Sequence, residues 1–172
     1  MFRKADINDL DRISEIYDEI HTEEEAGRST IGWIRSIYPT KQTAEDSIKA
    51  GDMFVEEVDG QIVASAKINQ EQVDVYAKVK WNYEARDNQV MVLHTLVVSP
   101  KASGQGFGPK FVKFYEEYAL EHGCNYLRID TNQRNSRARA MYKKLGYTEV
   151  DIVPCMFNGI PWVGLVCMEK KI

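Results

Sequence analysis

The spacing of hydrophobic positions changes period several times along the chain, and each change marks an element. Leu10, Ile13, Ile16, Tyr17 and Ile20 recur at three- and four-residue intervals behind an acidic first turn. This predicts a helix starting at Asn8 or Asp9, with a short strand over residues 2–5 before it. Residues 22–43 are less regular, broken by Gly27, Gly32 and Pro39. The bulk of Trp33, Ile34, Ile37 and Tyr38 predicts a second helix or helical turn between Ser29 and Tyr38, and a short helix follows over Thr43–Ala50. Met53–Val58 and Gln61–Ile68 are β-rich, with Asp59-Gly60 as a two-residue hairpin turn between them. Val73, Val75, Ala77, Val79 and Trp81 alternate within a charged stretch, so 70–89 reads as a loop or weak strand. Val90–Val98 is almost continuously apolar, the pattern of a central strand covered on both faces.

The second half is more sharply punctuated. Ser103-Gly104-Gln105-Gly106-Phe107-Gly108 forms a glycine-rich turn, and Pro109 suits the first position of the helix after it. Phe111, Phe114, Tyr115 and Tyr118 make that helix's apolar face, and Gly123 ends it. Tyr126–Asp130 is the next strand. Asn135 is a good N-cap for a helix lined by Ala138, Met141, Tyr142 and Leu145, and Gly146 stops it in the left-handed conformation. Tyr147–Val153 and Trp162–Glu169 complete the sheet. The order predicts one α+β (mixed α/β) domain over 1–172, a twisted sheet with helices on both faces.

Composition narrows the class. At 172 residues, 44% hydrophobic and 28% charged, the chain has the balance of a globular domain large enough to bury a core without disulfides or metal. Cys124, Cys155 and Cys167 have no metal-like spacing, and no apolar run reaches the roughly 18 residues of a membrane helix. A reduced, cytoplasmic protein without membrane attachment is expected. The formal net charge is −4, which argues against nucleic acid as a partner. The charge is uneven, however. Lys101–Lys144 holds nine Lys/Arg against four Asp/Glu. One positive segment in an acidic chain suggests a local anionic ligand.

Glycines at 104, 106 and 108 between a buried strand and a helix make a phosphate cradle. Glycine admits positive φ and close approach, and the helix start presents free N–H groups and a positive dipole end. A dinucleotide-binding unit is the competing reading. Its G-x-G-x-x-G pattern needs glycine at 109, where proline stands, and five residues separate the strand from the first glycine.

Leu96-Val97-Val98-Ser99-Pro100 followed by Ser103–Gly108 resembles the acetyl-CoA-binding signature of the GNAT superfamily of N-acetyltransferases. Asn135, Ala138, Tyr142, Gly146 and Tyr147 resemble the family's second signature, at its usual separation from the first. The resemblance spans nearly the whole chain. It implies a mostly antiparallel sheet with one splayed parallel pair, Val90–Val98 against Tyr126–Asp130. It also implies acetyl-CoA as cosubstrate and no metal. Its site would comprise Leu96, Val97, Val98, Ser103, Gly104, Gln105, Gly106, Phe107, Gly108, Pro109 and Lys110, with Asn135, Arg139 and Tyr142 from the second motif. Ser103 departs from the usual Arg/Gln, Pro109 removes one N–H, and Lys101, Lys110 and Arg139 are the cations nearby.

Acetyl transfer to an amine needs a deprotonated amine, a stabilised oxyanion, a protonated leaving thiol and alignment of both substrates. The resemblance implies Val98 N–H as oxyanion donor and Tyr142 as general acid. It also implies His94 as base, since some relatives acting on arylalkyl amines carry histidine at that strand position. An imidazole of ordinary pKa would give a kinetic inflection at about 6–7. A water chain to backbone carbonyls, or a carboxylate such as Glu56, is next in line as the base. On the acceptor side, Trp33, Tyr38, Tyr76, Trp81 and Tyr83 suggest an aromatic pocket for an aryl amine or compact cation. Residues 1–61 carry 15 Asp/Glu against seven Lys/Arg, which favours a cationic acceptor. A protein α-amine or lysine as acceptor, and a non-catalytic acyl-CoA sensor, stay open. So does the oligomeric state, with which a homodimer is compatible.

Overall fold

The computed structural model describes residues 1–172. Its strands are β1 (Phe2–Lys4), β2 (Met53–Val58), β3 (Gln61–Asn69), β4 (Val90–Val98), β5 (Tyr126–Asn132), β6 (Thr148–Phe157) and β7 (Ile160–Lys171). Its helices are α1 (Leu10–Glu25), α2 (Lys41–Lys49), α3 (Phe107–Glu121) and α4 (Ser136–Lys144). The strands form one sheet in the order β1-β2-β3-β4-β5-β7-β6, antiparallel everywhere except between β4 and β5.

The apolar stripe read for α1 is the face it buries. Leu10, Ile13, Ile16, Tyr17 and Ile20 pack with Ala44 of α2 against Met53, Val55, Ile62 and Val97. On the other face, Phe111, Val112, Tyr115 and Ala119 of α3 pack on Phe54, Ala64, Ala66, Met91, Leu93, Leu127 and Ile129. The segment 70–89 is a loop with two short 3-10 turns, at Asp74–Lys78 and Asp87–Gln89. It covers the half of the α1 face that α1 cannot reach, seating Tyr76 and Val79 against Val90, Val92, Leu165 and Cys167.

Three local expectations are corrected. No helix forms over Ser29–Tyr38. Glu24 instead accepts the N–H groups of Ile31 and Gly32, both at 2.8 Å, so those donors go to a side chain rather than a helical ladder. The chain turns at Ile34–Tyr38, where these two residues form an isolated bridge. Pro109 is the third residue of α3, since Gly106 is the N-cap at φ 82° and Phe107 the first residue. The last two strands run longer than expected, because Asn158 (φ 50°) and Gly159 (φ 77°) make a tight two-residue turn between them.

Candidate active site

The parallel pairing of β4 and β5 is short. Val90–Leu93 pair with Tyr126–Ile129, and the strands then part. A bulge in β4 accompanies the parting. Lys67 of β3 faces His94 while Ser65 faces Val97, so Thr95 and Leu96 together oppose Ala66. The extra residue bends the strand and strengthens its twist. Thr95 takes up the irregularity at φ 52°, a strained value for a β-branched residue, and its hydroxyl is in short hydrogen-bond contact with the Tyr38 hydroxyl.

Register determines where the freed backbone points. Ser99 N–H donates to Val63 C=O at 2.8 Å, which makes that antiparallel pair a hydrogen-bonded one. Pairs alternate, so Ser65–Val97 is also bonded and Ala64–Val98 is not. The Val98 N–H is therefore turned away from β3, towards the side that β5 has left.

A cavity of about 410 Å³ runs through this split. Leu93–Leu96 and Asp130–Asn132 form its two edges, and Asn135, Ala138 and Tyr142 of the α4 segment line one end. Tyr17, Ile31, Gly32, Trp33 and Tyr38 line the other. Trp33 and Tyr38 meet edge-to-face with centroids 5.9 Å apart. Gly32 is required there, since a Cβ would come within 2.4 Å of Asn132 Nδ2.

The glycine turn lies beyond the C-terminal end of β4. Gly104 and Gly106 both have φ 82°, and a Cβ on either would meet nothing within 4 Å. They are glycines for backbone conformation, and the space above them is open. Gly108 differs, because its missing Cβ makes room for Met141 Sδ of α4. An exposed turn of this shape ahead of a 15-residue helix suits an anion.

A sequence model of the acetyltransferase (GNAT) family matches residues 10–147. The chain belongs to the GNAT family of acetyltransferases. Thialysine N-epsilon-acetyltransferase from Bos taurus is 35% identical over 71 residues, 41% of this chain and 42% of that protein. The match thus spans about two fifths of that curated relative. An uncharacterized N-acetyltransferase from Archaeoglobus fulgidus is 26% identical over 81% of this chain and 87% of its own. The GNAT-family acetyltransferase structure from Streptococcus agalactiae 2603 superposes with TM-score 0.84 at 23% identity, covering 100% of this chain and 95% of that one. The Salmonella typhimurium yncA structure, described with its cofactor acetyl-CoA, gives 0.70 at 18% identity over 99% and 92% of the two chains.

Within this GNAT domain several candidate residues come together and others do not. Tyr142, His94 and Leu96 line the cavity, and burial pushes the Tyr142 phenol well above its ordinary value. Trp33 and Tyr38 line it too. Trp81 does not. It lies over the Arg128 guanidinium at 4.0 Å and packs edge-on to Tyr76. Tyr83 is also outside, 40% exposed beside Tyr126. Glu56 is buried on β2, away from the cavity lining, where burial raises its carboxyl and Lys110 opposes the rise. Arg139 is held bidentately by Glu149 at 2.7 and 3.0 Å, so it is not free to meet an anion. Arg137, which sequence reasoning passed over, donates from α4 to Ser103 Oγ at 2.8 Å. It brings a guanidinium to the turn where Ser103 stands in place of the family's usual Arg/Gln. Only the packing of α4 on the turn reveals it.

His94 is chemically different from its free state. Its Nε2–H donates to Asn69 Oδ1 at 3.0 Å, so that nitrogen is not available as a base. Burial, with Lys67 across the strand pair, pulls the imidazole down to about 4. An inflection at 6–7 from this residue does not fit its surroundings.

Asp130 moves the other way. It is the first residue of β5 beyond the last pairing with β4. Tyr76 donates to its Oδ2 at 2.7 Å, and burial pushes the carboxyl up to about 6. The sequence placed it at a strand end but could not show the cavity in front of it.

Proposed function

We propose that this protein acetylates a primary amine of a small molecule, by direct attack within a ternary complex. The observation that carries the reading is the cavity running through the β4–β5 split. Tyr142 lines one end of it and aromatic and acidic side chains line the other, while the β3–β4 register turns the Val98 N–H towards the same split. Its acceptor end is walled by Ile31–Trp33 and Tyr38 and by Glu71 and Val73 of the 70–89 loop, a concave shape that suits a small acceptor. The Bos taurus relative's name points the same way, since thialysine N-epsilon-acetylation is acylation of a small-molecule amine.

Acetyl-CoA, when bound, supplies the activated acetyl thioester. The Gly104–Gly108 backbone and the first turn of α3 hold its pyrophosphate, with Arg137 and Lys110 as cations at the rim. Leu96–Val98 offer the pantetheine arm a strand edge left unpaired by β5. The Val98 N–H donates to the carbonyl oxygen as charge develops there. The Tyr142 phenol, fully protonated at neutral pH, gives a proton to the departing sulfur. His94, kept neutral, is a wall of the acceptor end.

The test is release of free thiol from acetyl-CoA with a panel of small primary amines and, in parallel, with peptides bearing free α-amines and lysines. Acetylated small amines, identified by mass, support the reading. Turnover with peptides alone would replace it with a protein-acetylating one, and acetyl-CoA binding without turnover would leave a sensor.

A further inference from the structure

The cavity holds a carboxylate for which the reaction described so far has no use. Asp130 stands on β5 in the register position next to His94 on β4, just where the strands part. Both belong to the sheet face that the 70–89 loop covers. No cation of the protein pairs with Asp130. Arg128, two residues back on the same face, is taken up by the Trp81 ring and by Gln72. Lys67, the cation in the cavity wall, is bound to Glu71 at 2.8 Å. Asp130 lines the cavity, with Oδ2 accepting from Tyr76 and Oδ1 without a hydrogen-bond partner. A second group also lacks a partner. The Tyr17 hydroxyl, on a residue 2% exposed, lines the same cavity and has no hydrogen bond. A half-buried carboxylate with no cation and a buried hydroxyl with no partner are both costly unless a polar ligand satisfies them.

We propose that Asp130 binds the acceptor's ammonium group and takes its proton, acting as the catalytic base of the reaction. This rests on the amine-acetyltransferase reading above. In the step, one N–H bond of the ammonium breaks and one O–H bond forms at Asp130 Oδ1. The nitrogen keeps the electron pair with which it attacks, and the second proton it sheds as the amide forms replaces the one Tyr142 gives to the sulfur. The proton on Asp130 leaves to solvent once the amide has gone, so the carboxylate is regenerated each turnover.

The surroundings suit that task. Tyr76 and Tyr38 face Asp130 from the loops, Tyr142 from α4, Cys155 from β6 and Cys167 from β7, with His94 across the split. Each phenol and thiol is raised by burial, Tyr38 and Cys167 to about 12, so all stay protonated at neutral pH. His94 is already neutral. Asp130, at about 6, is thus the group on the acceptor side that titrates between pH 5 and 8. It is ionised at pH 7 yet more basic than a carboxylate in water.

The experiment measures kcat/KM against pH from 4.5 to 9.5 for two amines. Butylamine is cationic at neutral pH, and 2,2,2-trifluoroethylamine is largely neutral there. For the wild-type protein and butylamine, kcat/KM should rise through an inflection near 6 and level off above about 7. In Asp130→Asn it should fall roughly 10²-fold at pH 7 and climb steadily towards the amine's own pKa, with no plateau. With trifluoroethylamine the same substitution should cost under tenfold. Tyr76→Phe keeps the carboxylate but removes the bond that favours its charged form, so its inflection should move upward. If Asp130→Asn keeps the plateau, or lowers both amines equally, Asp130 is a structural anchor for the loop and the proposal fails. If wild-type protein acetylates neither these amines nor any other small amine, the amine-acetyltransferase reading fails and takes the base with it.

Discussion

Tyr142 is 5% exposed, with its ring edge-on to Tyr147 at 5.9 Å. The ring is core and the proposed function gives the hydroxyl a chemical role, so Tyr142→Phe separates the two. We expect kcat to fall about 10²-fold with KM for acetyl-CoA nearly unchanged and the fold intact. Steady-state kinetics beside a thermal melt checks this, and wild-type turnover would return Tyr142 to packing alone. Asp130 makes a second prediction that needs no substrate. Its folded-state pKa of about 6 lies above the ordinary 3.8. The folded state therefore holds the proton more tightly than the unfolded chain. Stability is full below pH 4 and is lost as pH rises through 6, by about 2–3 kcal/mol. Asp130→Asn removes that dependence, so it should be more stable than wild type by roughly this amount at pH 7.5 and equal to it near pH 4. Denaturant unfolding at the two pH values decides the matter.

At the scale of elements, the turn between β4 and α3 depends on backbone conformation more than on side chains. Gly106 caps α3 at φ 82° with open space around the missing Cβ. A Cβ there meets no clash, but valine's branched side chain strongly disfavours this backbone region, at a cost of about 1–2 kcal/mol. We expect Gly106→Val to remain folded and to lose at least tenfold in acetyl-CoA affinity by calorimetry, as the turn shifts away from the shape the anion needs. Arg137→Ala tests the other half of the cradle. It removes one exposed guanidinium and its bond to Ser103, so KM for acetyl-CoA should rise about three- to tenfold with kcat little changed. A pyrophosphate held by backbone alone would leave KM unmoved.

Across the whole molecule, the 70–89 loop is fastened to the far half of the sheet by three side chains from two strands. Arg128 of β5 takes the Trp81 ring and Gln72, Asp130 of β5 takes Tyr76, and Glu169 of β7 accepts from Asn82 N–H at 2.7 Å. The Arg128 stack on Trp81 is partly desolvated, the setting in which a cation–π contact is strongest. Trp81→Ala removes that contact and the ring's packing on Tyr76, and should destabilise by about 2 kcal/mol. Because the loop carries Tyr76 to Asp130, the same variant should raise KM for the amine severalfold and leave KM for acetyl-CoA alone. Equal changes in both constants would show that the loop does not serve the acceptor end.

Most of this architecture is legible along the chain. The stripe of α1, the Asp59-Gly60 hairpin, the apolar run of β4 and the two glycine-bearing motifs are local patterns, and local sterics and burial decide them. Tyr142 and the turn glycines were singled out the same way, since each sits at a motif position read in one stretch. The remainder depends on residues far apart in sequence. Glu24 drew two N–H groups from 31–32 and cancelled a helix that the bulk of 33–38 had suggested. Glu149 engaged Arg139, while α4 brought Arg137 to Ser103. His94 lost its ordinary basicity and Asp130 gained some, because burial depends on what covers a strand and not on the strand itself. Sequence alone determined the fold family and the use of acetyl-CoA. Only the tertiary structure decided which charged groups stand free inside the cavity, because pairing and desolvation are properties of neighbours in space.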